Sequence, residues 1–121
     1  MRAMWLAILL AGCATAAPLV VPPSYPPDRW GYVYPAECRH DLSAIPVPVR
    51  YVPREKLVDI GKGILNPVGL IGVCWHCAWF DGSAAIYIAD DLALDDKLAA
   101  VHHERCHRAF WLATGSVDWH K

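Results

Sequence analysis

The chain has 121 residues, with 11 Lys and Arg against 12 Asp and Glu, and 55% of it is hydrophobic. That length holds one domain at most, and the even charge balance excludes the dense basic face of a nucleic-acid-binding protein. Six Trp and five Tyr exclude a wholly disordered chain, while ten Pro and eight Gly exclude a bundle of long helices.

Arg2 precedes an apolar run over residues 4–11, MWLAILLA. Eight residues are too few to span a bilayer, which takes about 20, but they suit the apolar core of a signal peptide. The run ends in Leu10-Ala11-Gly12-Cys13, which resembles the lipobox of bacterial lipoproteins. The resemblance implies a signal peptide over residues 1–12, a diacylated and N-acylated Cys13, and stable anchoring. Ala14 stands where enteric lipoproteins kept at the inner membrane carry Asp, which implies the inner leaflet of the outer membrane, facing the periplasm. The alternative is an ordinary secretory peptide cut near residues 14–17. Residues 13–35 contain six of the ten prolines and read as an extended tether, rising about 3.1 Å per residue where polyproline II forms. Tyr25, Trp30, Tyr32 and Tyr34 are unusual in a plain spacer. Either they dock on the domain or they form a recognition strip.

The folded domain is read over residues 36–121, a size at which a core is marginal without covalent or metal staples. Residues 45–52, IPVPVRYV, read as an edge strand, because Pro46 and Pro48 remove two N–H donors from one side. Pro53 then opens a short helix to residue 60, ended by Gly61 and Gly63. Strands over 73–80 and 84–89 flank Asp81-Gly82, a hairpin signal. The second is apolar throughout, as a central covered strand would be. A long helix is predicted over 96–114, with Asp95 and Asp96 at its positive end, Leu98, Val101, Ala109, Leu112 and Ala113 at helical spacing, and Gly115 as its stop. The expected fold is α+β, a small antiparallel or mixed sheet packed on one long helix plus a short one.

The chemistry lies on the long helix. Residues 102–107 read His-His-Glu-Arg-Cys-His, and His103, Glu104 and His107 make HExxH. Side chains four apart stand one turn above each other, so two imidazoles can share a Zn2+ ion while Glu104 serves as general base. A catalytic zinc needs a third protein ligand and an open position. Of the 14 residues after His107, His120 and Asp118 are the credible ligands, with His120 preferred and Asp118 able to orient a His instead. His102 points about 100° away around the helix and should miss the metal.

Together, His103-Glu104-x-x-His107 and Gly115-x-x-Asp118-Trp119-His120 resemble zincin metallopeptidases that take a ligand from just beyond the active helix. The resemblance spans about residues 45–120, but only HExxH is specific. It implies a minimal zincin-like fold with His103, His107 and His120 on zinc and Glu104 catalytic. It also implies that the strand before the helix pairs with extended substrate, so that Ile86, Tyr87 and Ile88 line the cleft. His76, His102 or Tyr87 could stabilise an oxyanion, although each is more simply a surface or packing residue.

Five Cys in so short a chain point away from a reducing cytosol. The four after Cys13 allow three pairings. Cys74-Trp75-His76-Cys77 could be a redox motif, or could bind a second metal with His76. The simpler reading is structural disulfides, Cys38–Cys106 and Cys74–Cys77, the first pinning the active helix. The function expected is a lipid-anchored, zinc-dependent peptidase acting on peptide or envelope protein. The alternative is a non-enzymatic envelope lipoprotein with a structural or vestigial metal site.

Overall fold

A computed structural model describes residues 25–61 and 71–120. Residues 1–12, read as a signal peptide, together with Cys13 and Gly63 lie outside the described residues. No helix among the described residues is long and apolar enough to cross a membrane. In chain order the elements are a single 3-10 turn at Ala36–Cys38, β1 (Val49–Val52), α1 (Arg54–Ile60), β2 (Gly72–Trp75), β3 (Ala85–Ala89) and α2 (Leu94–Thr114). They form a small α+β fold. The sheet is mixed and ordered β1-β3-β2, with β1 parallel and β2 antiparallel to the central β3.

Local chemistry explains most boundaries. β1 begins only after Pro48, whose carbonyl accepts from the Ile86 N–H at 2.9 Å. It lies at a sheet edge, as the prolines require. Pro53 sits just outside α1 as its cap rather than as its first residue. Gly115 adopts the left-handed conformation (φ 81°) that ends α2, and its N–H returns to the Trp111 carbonyl at 2.8 Å.

The strand expected over 73–80 stops at Trp75. His76 turns the chain with a left-handed φ of 54°, and the Cys74–Cys77 disulfide closes across that turn. β2 and β3 do pair as antiparallel neighbours, but through a loop over residues 76–84 rather than a two-residue Asp81-Gly82 turn. Asp81 still bends the chain locally by accepting the Ser83 N–H at 3.0 Å.

Alternation along β3 builds two layers. Ile86 and Ile88 pack with Ala100 and Val101 of α2, whereas Ala89 and Tyr87 pack with Leu57 of α1 and Val73. A third cluster covers the far side of α2, where Tyr34, Cys38, Leu42 and Trp119 meet Cys106 and Ala109. The long helix is therefore wedged between the sheet and two flanking segments, an N-terminal strap and a C-terminal tail.

That strap corrects the boundary read at residue 36. Residues 25–35, assigned to the tether, pack on the domain. Tyr25 stacks on His102, Tyr32 on His120 and Tyr34 on Trp119, and Trp30 meets His103 edge-on, so docking is the arrangement the four aromatics adopt. Both expected disulfides are present, and Cys38–Cys106 joins the strap to α2.

Candidate metal centre

Helical spacing brings His103 and His107 onto one face of α2, and the Gly115 stop lets the tail double back so that His120 meets them. One nitrogen from each of the three rings lies within 4.8 Å of the others. The shortest separation is 2.9 Å, between the Nε2 atoms of His103 and His120. Three nitrogens about 2.0–2.1 Å from one tetrahedral ion stand about 3.3 Å apart, inside the observed spread. These residues could hold a metal ion.

The orientation of each ring is set from behind. His103 donates from Nδ1 to the Asp28 carboxylate at 2.5 Å, and His107 donates from Nδ1 to the Val117 carbonyl at 2.6 Å. Each bond fixes the tautomer that leaves Nε2 unprotonated and able to ligate, the second layer of support typical of ligating histidines. The Nε2 of His107 is buried and has no hydrogen-bond partner, a vacancy that a cation fits. Burial is the main reason all three imidazoles resist protonation. It pulls His103 down to about 4 and His107 to about 3, against the Asp28 carboxylate and the Val117 carbonyl, and it lowers His120. Neutral rings are the form a metal requires.

Glu104 is fully buried beside them. Its carboxylate oxygens lie 3.8 Å from the His103 Nε2 and 3.9 Å from the His107 Nε2. Its position depends on Gly72 of β2. A Cβ there would stand 3.2 Å from the Glu104 Cγ and 2.8 Å from the Ile88 Cδ1. Any larger residue there would press on both side chains. Trp30, Tyr32 and Trp119 surround the imidazoles, with ring centroids 5.8, 5.5 and 4.8 Å from that of His103.

Among the expected site residues, the structure brings together His103, Glu104, His107 and His120. Asp118 is exposed and outside the group, acting on His107 and His120 only as a nearby negative charge. His102 points away, as expected, with its Nε2 2.9 Å from the Cys38 carbonyl oxygen. His76 stacks between Trp75 and Trp79 in the β2–β3 loop, and Tyr87 lies on the sheet face toward α1, so neither belongs to the centre. The cleft expected at Ile86, Tyr87 and Ile88 is overturned. β3 is bonded on both edges and has none free for a substrate strand, and Ile86 and Ile88 are fully buried.

Two residues of the centre went unread. Gly72 is one. Asp28 is the other, and it works twice. One carboxylate oxygen accepts from the Trp30 and Tyr32 N–H groups at 3.0 and 2.7 Å, ordering the strap, while the other holds His103. The surplus of aromatics around it was the available signal.

A titration with Zn2+ checks this division of labour. His120→Ala should weaken binding by more than about 100-fold, beyond the 10–100-fold expected for Asp28→Asn, which leaves the ligands in place but frees the ring of His103. Asp118→Ala should change affinity least. Equal losses for Asp118→Ala and His120→Ala would overturn the assignment.

The buried rings also predict acid sensitivity without metal. The unfolded chain protonates these histidines near 6.5, the folded chain only near 4 for His103 and 3 for His107. The unfolded state binds more protons between those values, so stability is complete above pH 6.5 and is lost as pH falls toward 4 and then 3. Urea unfolding in chelator should show a lower midpoint at pH 5 than at pH 7. A midpoint independent of pH would contradict the burial of neutral rings.

No protein-family model, curated protein or solved structure matches the chain, so the reading of this centre rests on its own geometry.

Proposed function

We propose that this chain is a zinc-dependent hydrolase, most simply a peptidase, displayed on the periplasmic side of a bacterial membrane by a lipid on Cys13. The observation that carries the reading is the convergence of three neutral imidazoles with a carboxylate 3.8–3.9 Å from two of them. His103, His107 and His120 would hold the ion. A zinc ion bound there would supply Lewis acidity and lower the pKa of a water toward neutrality. Glu104, beside two of these rings, would serve as the general base that accepts a proton from the attacking water and gives it to the leaving amine. Asp28 and the Val117 carbonyl keep two of the rings aimed. Gly72 keeps the carboxylate in place.

A second reading draws support from burial. His103 and Glu104 are fully enclosed, and strap, helix and tail all meet at the centre. A metal there would tie three segments together in a non-enzymatic envelope lipoprotein. Peptide hydrolysis by the zinc-loaded chain, compared with Glu104→Gln, separates the two. Activity lost in the variant supports the hydrolase, and no hydrolysis by either supports the structural role.

A further inference from the structure

The loop from β2 to β3 carries an aromatic tip that is firmly held yet left in solvent. Phe80 is 81% exposed and Trp79 50%. Phe80 rests on Trp111 of α2, 4.4 Å between ring centroids, and the Arg108 guanidinium lies 4.9 Å from the Trp111 ring centre. The loop beneath is tied at several points. Cys74–Cys77 closes its base, and Arg108 donates at 2.7 Å to the carbonyls of both Cys77 and Trp79. The His76 ring stacks on Trp75 at 4.0 Å and on Trp79 at 3.6 Å, with its Nδ1 2.6 Å from the Ser83 Oγ. Ser83 in turn donates to Asp81, which turns that carboxylate back on the loop. These ties hold two large aromatics outward. Presenting them preordered lowers the entropic cost of docking.

We propose that this tip enters the interfacial layer of the bilayer to which the chain is anchored, a proposal that rests on the lipoprotein reading of Cys13. Two observations favour lipid over a protein partner. Twelve peptide steps separate Cys13 from Tyr25, a reach of at most about 40 Å. A domain of this size has a radius of gyration of about 13 Å, so the tether can bring any face to the membrane at high effective concentration. The tip also has interfacial composition, with Trp79 and Phe80 in front, Trp111 behind them and the Arg108 cation alongside. Lipid at one end and an aromatic tip at the other give the domain two membrane contacts. They fix its orientation, which a single point of attachment leaves free.

The test uses the full chain purified from membranes and reconstituted into phosphatidylcholine vesicles with or without brominated acyl chains. Brominated lipid should quench tryptophan emission in the unaltered protein. Phe80→Asp keeps both reporters, Trp79 and Trp111, and lies at an exposed position where the fold tolerates it. It should reduce the quenching at least about threefold, well within the transfer preference of one Phe side chain. Undiminished quenching in Phe80→Asp, or none in the unaltered chain, overturns the proposal. A dimer in detergent that Phe80→Asp dissolves also overturns it, assigning the tip to a second copy. The mass of the N-terminal peptide reports lipidation separately. An unmodified Cys13 removes the anchor and the docking together, whereas a lipidated chain with unquenched tryptophans removes the docking alone.

Discussion

Glu104→Gln is expected to bind zinc as the unaltered chain does and to hydrolyse peptides about 10²–10⁴-fold more slowly, the usual worth of a positioned general base. The amide has nearly the shape of the carboxylate, so the packing between Gly72 and α2 survives. It cannot take a proton. His103→Ala and His107→Ala should fail differently, by losing the metal, since two remaining ligands are too few for a stable site. Elemental analysis beside a peptidase assay distinguishes these outcomes. Hydrolysis by Glu104→Gln at the unaltered rate would end the proposed mechanism. Zinc retained in full by His103→Ala would end the three-histidine site itself. Gly72→Ala offers an indirect check. The added methyl presses on the Glu104 Cγ and the Ile88 Cδ1, so it should disturb activity more than metal content.

What could be read in advance was what short-range chemistry dictates. HExxH on a helix, the Gly115 stop and the return of His120 all follow from spacing within 18 residues. The apolar run at β3 announced a central strand, and that same fact denied it the edge that the zincin resemblance asked of it. The parts that were missed depend on contacts between remote segments. Asp28 lies 75 residues from His103, inside a proline-rich stretch whose composition reads as a spacer. Its acidity gives no hint of a partner until the strap folds over α2. Gly72 is legible as a glycine but not as a clearance, because the clearance exists only when β2 crosses Glu104. The β2–β3 loop was misread for a related reason. Asp81-Gly82 is a strong local turn signal, but the disulfide and the left-handed His76 bend the chain sooner.

Removal of the Cys38–Cys106 bridge should cost more stability than removal of Cys74–Cys77, and it alone should reach the metal centre. The first bridge joins residues 68 apart and the second residues 3 apart. Chain-entropy arguments assign about 4 kcal/mol to a loop of the first size and about 2 kcal/mol to one of the second. A domain of this length has only about 5–15 kcal/mol in total, so the paired change Cys38→Ala and Cys106→Ala removes a large share of it. The effect on metal follows from what the bridge holds. Cys38 closes the segment that begins at Tyr25 and includes Asp28, and Cys106 lies between Glu104 and His107 on α2. With the bridge gone, the strap remains attached through the Asp28–His103 hydrogen bond, the contact of His102 with the Cys38 carbonyl, the Arg29 ion pairs and the stacks of Tyr25, Tyr32 and Tyr34 on His102, His120 and Trp119. The ion pairs are exposed and contribute little. Asp28 then orients His103 only part of the time, and zinc affinity should fall toward the 10–100-fold loss expected of Asp28→Asn. Urea unfolding in zinc and in chelator, with each cysteine pair replaced in turn, measures both effects. Equal destabilisation by the two pairs, or unchanged zinc affinity without Cys38–Cys106, would show that the strap is held by packing alone.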